Sequence, residues 1–162
     1  MRLRRVREGD AARLRELRLR ALREAPDAFA TTFEGASARP PEYWEQWTRA
    51  PVEEQVTIVA IDGERWVGMV SGWLLEDFPG SAWLARLWVD PSVRRAGLGL
   101  RLIEAIADWA REHGMIALEL SVTANNVAAA ALYARAGFAE TGRRRPLPAD
   151  PSRTEVFLAR PL

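Results

Sequence analysis

The segment VDPSVRRAGLGLRLIEAI, residues 89–106, joins an extended apolar run to a helical pattern through a short basic loop that contains two glycines. The run that leads into it, residues 83–89, is rich in aromatic and branched side chains and predicts a strand. After the loop, apolar side chains recur at helical spacing from Leu98 to Trp109, which predicts a helix over residues 98–112. The chain therefore passes from a strand through a glycine loop directly into a helix.

A loop of this kind can bind an anion through its backbone. The first turn of a helix leaves its N–H groups unpaired, and they point the same way as the positive end of the helix dipole. Gly97 and Gly99 would let phosphate oxygens approach the backbone closely, and Arg94 and Arg95 would add positive charge. The spacing is neither that of the dinucleotide-binding fingerprint nor that of a Walker loop. A simple glycine turn with two solvated arginines explains the same residues, so the loop alone leaves both interpretations open.

A second pattern, NNVAAAALYARAGF, occupies residues 125–138. It places Asn126 and Tyr133 seven residues apart, which is two helical turns and one face of a helix. If this helix and the helix over 98–112 start at the same end of one sheet, Tyr133 lies close to the ligand of the glycine loop. A phenol in that position can donate a proton to a leaving group. Without a ligand, Asn126 would be a helix N-cap and Tyr133 a core residue.

The remaining elements predict a mixed α/β sheet in one domain over residues 1–162. The Asp62-Gly63 pair between two apolar runs indicates a β-hairpin, and the proline-rich segment 144–153 predicts a loop before the last strand. The predicted strands are residues 3–6, 56–61, 66–74, 83–89, 116–122, 139–143 and 154–159, and the predicted helices are 11–24, a helix after Pro40-Pro41, 98–112 and 126–135.

The composition excludes several classes of site. There is no cysteine, so disulfides and a cysteine nucleophile are excluded, and the single histidine, His113, argues against a multi-histidine metal site. A net charge of +1 argues against a nucleic-acid partner. The polar N-terminus does not resemble a signal peptide, and no apolar run is long enough to span a bilayer. We expect a cytoplasmic protein, monomeric or homodimeric, without a membrane partner or a metal.

The two patterns together resemble a known family. Residues 94–99, RRAGLG, match the R/Q-x-x-G-x-G/A signature of the GNAT N-acetyltransferase superfamily, and NVAAAALYARAGF resembles its second signature, N-x-x-A-x-x-L-Y-x-x-x-G-F. The order of elements agrees over essentially the whole chain. The resemblance implies an α/β fold of the α+β type. Its central sheet would be mixed but mostly antiparallel, splayed between the fourth and fifth strands and flanked by helices.

The resemblance also implies acetyl-CoA as the donor and a direct attack by the acceptor amine in a ternary complex, with no metal. Tyr133 would touch the cofactor and protonate the departing CoA thiolate, Asn126 would contact the pantetheine arm, and the strand edge at Leu87 and Val89 would hydrogen-bond that arm. The backbone of the glycine loop would bind the pyrophosphate through Arg94, Arg95, Ala96, Gly97, Leu98 and Gly99.

The sequence departs from the family where a general base is expected. Many relatives carry a glutamate near the start of the strand before the glycine loop, where this chain has Ser81, Ala82 and Trp83. The branch that acetylates ribosomal-protein N-termini has a glutamate five residues before the asparagine, where this chain has Ser121. Glu119 is the candidate base that remains. A solvent-facing strand carboxylate, with a chain of waters as the base, is the alternative.

We therefore expect an N-acetyltransferase that acts on a primary amine of a small molecule or of a peptide N-terminus. The alternatives are a non-catalytic module that senses acyl-CoA and a tRNA-directed acetyltransferase toxin, which would need a strongly basic face. The acceptor pocket is expected from segments 25–36 and 143–153. Five aromatic residues belong either to the pocket wall or to the core: Phe29, Phe33, Tyr43, Trp44 and Trp47. Three arginines, Arg143, Arg144 and Arg145, either bind an acidic group or are only solvated.

Overall fold

The computed structural model, which describes residues 1–162, contains seven strands and five α-helices. The strands are β1 (Arg2–Arg5), β2 (Gln55–Asp62), β3 (Arg65–Leu74), β4 (Ser81–Val89), β5 (Ala117–Thr123), β6 (Ala139–Leu147) and β7 (Asp150–Pro161). The helices are α1 (Ala11–Glu24), α2 (Phe33–Ser37), α3 (Pro41–Arg49), α4 (Leu98–Glu112) and α5 (Val127–Arg135). No helix combines the length and the apolar character that crossing a membrane requires.

The strands form one sheet in the order β1-β2-β3-β4-β5-β7-β6. All neighbours are antiparallel except β4 and β5, which run parallel and pair only from Ser81–Ala117 to Trp83–Glu119. Beyond that point β4 continues to Val89 and β5 continues to Thr123, but these two strands no longer pair with each other. The sheet therefore splays between its fourth and fifth strands. The expected mixed, mostly antiparallel α/β architecture is confirmed.

A β-bulge in β4 accompanies the splay. The register of β4 against β3 shifts there, and Arg86 has a φ of +58°, in the left-handed region. Ala82 and Leu84 pack into the core beneath α4, whereas Trp88 packs into the opposite core beneath α1 and α3. The extra residue therefore reverses the alternation of the strand, and because a bulge also bends its strand, β4 is turned away from β5.

Two cores cover the two faces of the sheet. One lies under α4 and α5 and contains the apolar stripe of α4. The other lies under α1 and α3 and is centred on Leu14, Trp44 and Met69. The hairpin at Asp62-Gly63 and the ranges predicted for α1 and α4 are confirmed.

The region after Gly142 differs from the sequence-based prediction. Residues 144–153 were predicted to form a loop, but β6 and β7 pair antiparallel through them as far as Leu147–Asp150. Pro146 does not prevent pairing because it lies in β6, the edge strand of the sheet, where a residue without an N–H is tolerated. Pro151 lies at the start of β7, before that strand begins to pair with β5 at Glu155. The prediction of a loop was wrong, since a strand that can hold prolines at an edge looks like a loop in sequence.

Candidate active site

The glycine loop leaves a run of backbone donors free. The N–H groups of residues 95–100 donate to no acceptor in the protein, and the first intrahelical bonds of α4 begin with Arg101, which donates to the Gly97 carbonyl at 3.1 Å. Gly97 is the N-cap residue of α4 with a φ of +75°, and Arg95 has a φ of +66°. Left-handed residues in a turn direct successive N–H groups toward one side, which makes an anion-binding concavity at the helix N-terminus.

The two glycines of the loop have different roles. A Cβ on Gly97 would meet no atom within 4 Å, so open space lies where a ligand would approach. A Cβ on Gly99 would lie 3.0 Å from a methyl of Leu132, so Gly99 is needed for the close packing of α4 against α5. The structure therefore adds a packing role for Gly99, and its N–H remains unpaired like that of Gly97, so its phosphate contact stays a prediction.

The Arg94 guanidinium is already hydrogen-bonded within the protein. Its guanidinium donates to the Val89 carbonyl at 2.9 Å and to the carboxylate of Glu24 at 2.7 Å, and Glu24 also accepts from the indole N–H of Trp88 at 2.9 Å. Burial alone would raise the pKa of Glu24, but the hydrogen bonds from Arg94 and Trp88 hold it below its usual value. Arg94 thus fixes the loop to the end of α1, and Arg95 makes no side-chain hydrogen bond or ion pair.

The edge of β4 is open next to this loop. Leu87 and Val89 lie beyond the last β4–β5 pair, so β4 has no strand neighbour on its β5 side there. Leu87 also falls in the bulge, opposite no registered residue of β3. An extended ligand can add to such an edge through main-chain hydrogen bonds, as a peptide strand does.

Tyr133 projects from α5 into the splay. The residue is 8% exposed, its ring packs edge-on against Phe138 with centroids 5.7 Å apart, and its hydroxyl makes no hydrogen bond in the protein. Burial raises the pKa of Tyr133 to about 12, so the phenol keeps its proton at neutral pH. Asn126 is the N-cap of α5, where its side-chain oxygen accepts from the Ala129 N–H at 3.1 Å.

A cavity of about 350 Å³ opens at the splay on the face of the sheet that α1 covers. It is bounded by α1, the segment at residues 27–31, the diverging parts of β4 and β5, and the β6–β7 hairpin. The lining includes Phe29, Trp83, Arg86, Leu87, Ser121 and Tyr133. The splay thus connects Tyr133 and the open edge of β4 with this cavity on the other side of the sheet.

A family model described as the acetyltransferase (GNAT) family matches residues 16–138, which include both the glycine loop and α5. The chain belongs to this family. The resemblance drawn from the two sequence signatures is therefore confirmed.

Curated relatives match over part of the chain. The L-2,4-diaminobutyric acid acetyltransferase of Nocardia farcinica is 37% identical over 79 residues, which are 48% of this chain and 40% of that protein. The ribosomal protein bS18 alanine N-acetyltransferase of Salmonella typhimurium is 44% identical over 64 residues, which are 40% of this chain and 43% of that protein. The chain spans less than half the length of these two relatives. Their names include both a small-molecule amine and a protein N-terminus.

Solved structures match the chain over its whole length. The structure of yncA from Salmonella typhimurium, solved with its cofactor acetyl-CoA, superposes with a TM-score of 0.79 at 20% identity and covers 100% of this chain and 94% of that one. At this level of identity the match shows that the GNAT fold is shared.

One carboxylate of this GNAT site was missed from the sequence. Glu155 on β7 accepts from the Ser121 hydroxyl at 2.5 Å and from Arg145 at 2.7 Å, and its side chain is 12% exposed at the cavity wall. Ser121 occupies the position at which the ribosomal-protein branch carries a glutamate. A neighbouring strand therefore brings a carboxylate to that position, and only the pairing of β7 with β5 reveals it.

Glu119 lies elsewhere. It belongs to the last β4–β5 pair, opposite Trp83, and it does not line the cavity. It makes no side-chain hydrogen bond or ion pair, and its role as a base stays a prediction. Ser81, at the start of β4, lies at the paired end of the two strands and is not part of the cavity wall.

The aromatic and basic groups named from the sequence divide between core and cavity. Trp44 is 2% exposed and belongs to the core, whereas Phe29 lines the cavity. Each arginine of the 143–145 run has a contact within the protein. Arg143 lies over the Phe157 ring at 4.1 Å, Arg144 pairs with Glu140 at 2.9 Å, and Arg145 pairs with Glu155.

A larger depression of about 750 Å³ lies between α1 and α3. None of its lining residues comes from β4, α4, β5 or α5, and its charged groups include the Arg49–Glu8 pair at 2.9 Å. The smaller cavity at the splay is the better candidate for the chemistry, since it alone of the two reaches Tyr133 and the open edge of β4.

Proposed function

We propose that the chain is an acetyl-CoA-dependent N-acetyltransferase that transfers an acetyl group to a primary amine by direct attack in a ternary complex. The observation that carries the proposal is the unpaired backbone run at residues 95–100, which lies at the end of β4 where the sheet splays beside Tyr133. A pyrophosphate needs several converging donors, and a thioester needs an extended strand edge that leads toward an acid. This part of the fold provides both.

The donor would lie along the open side of β4. The backbone N–H groups of residues 95–100 would bind the pyrophosphate, with Arg95 as the adjacent free cation. Leu87 and Val89 would hydrogen-bond the pantetheine arm at the unpaired edge. Asn126 would support this site by capping α5, because its side-chain oxygen already accepts from the Ala129 N–H. We retain Ala96, Gly97 and Leu98 as backbone ligands, and Gly99 as a ligand only through its N–H.

Acetyl-CoA, when bound, supplies the acetyl thioester. The amine nitrogen forms the new C–N bond, the C–S bond breaks, and one proton must leave the nitrogen while one reaches the sulfur. Tyr133 is the proposed proton donor to sulfur, because burial keeps the phenol protonated and its hydroxyl has no partner in the protein. Glu155 is the proposed proton acceptor, through water, since it is the carboxylate that lines the cavity on β7.

The names of the relatives support an amine acceptor in general. One acts on diaminobutyric acid and another on the N-terminal alanine of a ribosomal protein. A cavity of about 350 Å³ bounded on several sides favours a small molecule over an extended peptide.

The test is a pair of measurements on the purified protein. We expect acetyl-CoA and CoA to bind by titration calorimetry, and we expect free thiol to appear from acetyl-CoA only when an amine from a library of small molecules and short peptides is present. Binding without thiol release across the library would support an acyl-CoA-sensing module instead. No binding at millimolar CoA would contradict the proposal as a whole.

A further inference from the structure

Two arginines at the cavity wall have no anionic partner. Arg18 on α1 is 4% exposed, and one nitrogen of its guanidinium is buried without a hydrogen-bond partner. Arg86 in the β4 bulge is partly buried and also has a buried nitrogen without a partner. Neither takes part in any of the ion pairs of the protein, whereas the neighbouring Arg20 binds Asp90. Unpaired buried charge is costly, so its presence in a cavity wall calls for a reason.

The surroundings of the two guanidiniums are aromatic. Arg18 lies over the Phe29 ring at 4.4 Å, and Arg86 lies over the rings of Trp47 at 4.1 Å and Trp73 at 5.3 Å. These rings hold the guanidinium planes in place but bring no negative charge to neutralise them. Burial, together with the charge of Arg86, lowers the pKa of Arg18 to about 10, and burial also lowers the pKa of Arg86. Arginine side chains in proteins stay protonated at neutral pH, so the cavity wall is positively charged there.

The carboxylates of the cavity do not neutralise this pair. Glu155 is bound by Arg145 and Ser121. The Asp27 side chain is 90% exposed, and the nearest cation to it is Arg153 at 3.7 Å. The phenol of Tyr43 is the other polar group that lies close to both arginines. The cavity therefore has a positive wall at Arg18 and Arg86, while Glu155 lies at the wall in an ion pair with Arg145.

We infer that the acceptor is a small amine that carries a carboxylate, an amino acid or a close analogue, and that Arg18 and Arg86 bind this carboxylate. The inference rests on the proposed N-acetyltransferase function and names its substrate class. Guanidinium groups match carboxylates through paired N–H donors. Both side chains line the cavity, and neither guanidinium donates a hydrogen bond to another group of the protein. With the carboxylate held there, the amino group of the acceptor can point toward Glu155 and the splay, where Tyr133 lies. The left-handed backbone at Arg86 is the strain that the bulge accepts in placing this side chain at the site.

The site requires an anion close to the reacting amine. A peptide N-terminus lacks one, because its first carboxyl group is an amide. An amine without a carboxylate would leave both guanidiniums desolvated and unpaired, and sites built around a polar partner discriminate strongly against analogues that lack it. We expect kcat/KM for a free amino acid to exceed that for its carboxamide by about 100-fold or more.

The experiment compares matched acceptors and matched variants. Each of the common amino acids is assayed with acetyl-CoA beside its carboxamide, its decarboxylated amine and, for the best substrate, its phosphonate analogue. The variants are Arg18→Met, Arg86→Met and Arg18→Lys. Arg15→Met is the control, because this substitution removes the same charge from the same helix at a residue that does not line the cavity. We expect Arg18→Met and Arg86→Met to raise KM for the acid about 100-fold and to abolish its advantage over the amide. Arg15→Met should preserve both, and Arg18→Lys should lose part of the advantage.

Two readouts separate a binding role from a structural one. Affinity for CoA, measured by calorimetry, should be unchanged in all variants. The melting temperature of Arg18→Met should equal or exceed that of the wild type, because an unpaired buried charge is replaced by an apolar side chain of similar length. In the wild type the best amino acid should raise the melting temperature in the presence of CoA, and this shift should disappear in Arg18→Met.

The possible failures are distinguishable. If the wild type acetylates acids and amides equally, or if a dipeptide amide is the best acceptor, the inference is wrong while the proposed function stands. If CoA binds but no amino acid stabilises the wild type more than Arg18→Met, the inference is also overturned. If acetyl-CoA does not bind at all, the proposed function itself fails.

Discussion

The two sides of the splay differ in the kind of group that they offer to a ligand. On the side that we propose binds the donor, residues 95–100 present backbone N–H groups whose directions are set by the left-handed residues Arg95 and Gly97. On the proposed acceptor side, the polar groups are side chains, among them those of Arg18, Arg86 and Glu155. A backbone site depends on conformation and is insensitive to most side chains, whereas a side-chain site can change its specificity through one substitution.

The cost to stability also differs between the two sides. The donor loop needs residues in the left-handed region, which glycine accepts without penalty at position 97. The acceptor side holds unpaired guanidinium nitrogens at Arg18 and Arg86, whose burial opposes folding. Substitutions that change the backbone conformation should therefore weaken donor binding. Substitutions that change the side-chain charge should weaken acceptor binding. Tyr133, which lies between the two sides, should affect neither affinity.

The largest effect is expected at Tyr133. Tyr133→Phe keeps the ring that packs against Phe138 and removes only the proton donor. Loss of a positioned acid typically lowers the rate by about 10²–10⁴, so kcat should fall by that factor while the affinity for CoA stays the same. Steady-state kinetics and calorimetry check the two quantities. An unchanged kcat, with chemistry shown to limit the rate, would assign Tyr133 to packing, and a collapse of CoA affinity with kcat preserved would make it a cofactor ligand only.

The pH dependence gives this prediction a second check. Burial raises the pKa of Tyr133 to about 12, so the acid form persists well above neutrality. The wild-type kcat should show no alkaline decline due to this group between about pH 6 and about pH 10, and Tyr133→Phe should give a profile of the same shape at a lower height. An alkaline decline near pH 8 that vanishes in the variant would mean that the phenol is far more acidic than its burial implies.

The next largest effect is expected on the acceptor side, where two glutamates compete for the role of base. Glu155 lines the cavity, whereas Glu119 does not. Glu155→Gln should lower kcat/KM by about 100-fold, because general bases typically contribute at least this much, while Glu119→Gln should stay near the wild-type value. The same assay on both variants is the measurement. The reverse order would restore Glu119 as the base, and two near-normal variants would indicate that water alone accepts the proton.

The sequence signals that point to the proposed donor side are local. The left-handed turn at Gly97 and the face shared by Asn126 and Tyr133 each come from one contiguous segment. The amphipathic pattern of α4 likewise gave the range 98–112, which agrees with the structure. The packing role of Gly99 could not be predicted, because its contact with Leu132 joins two helices that are separate in the sequence.

Both segments from which the acceptor pocket was expected, 25–36 and 143–153, contribute to the cavity wall. The polar side chains that we propose to bind the acceptor could not be predicted in the same way. The position of Arg86 depends on a bulge in β4, and a bulge reverses the two-residue alternation from which strand faces are predicted. Glu155 reaches Ser121 only because β7 pairs with β5. The hairpin of β6 and β7 was not predicted, because its prolines are typical of a loop. Residues that meet across strands far apart in sequence leave no local pattern.

The smallest predicted effect is on the donor side and uses two glycines of similar conformation. Gly97 has a φ of +75° and Gly63, in the β2–β3 hairpin, has a φ of +59°; a Cβ at either position would meet no protein atom within 4 Å. Gly97→Val and Gly63→Val should therefore cost similar stability, about 1–2 kcal/mol from left-handed strain, and both should stay folded. Hydrogen bonds to a charged group contribute about 1.5–3 kcal/mol each, so displacing the pyrophosphate from the loop should weaken CoA binding roughly ten- to a hundredfold in Gly97→Val alone. Calorimetry on both variants, with thermal melts to match their stabilities, separates loss of the anion site from loss of fold. Normal CoA affinity in Gly97→Val would make the loop an ordinary turn, and equal losses in both variants would show that global destabilisation, not contact with the ligand, sets the affinity.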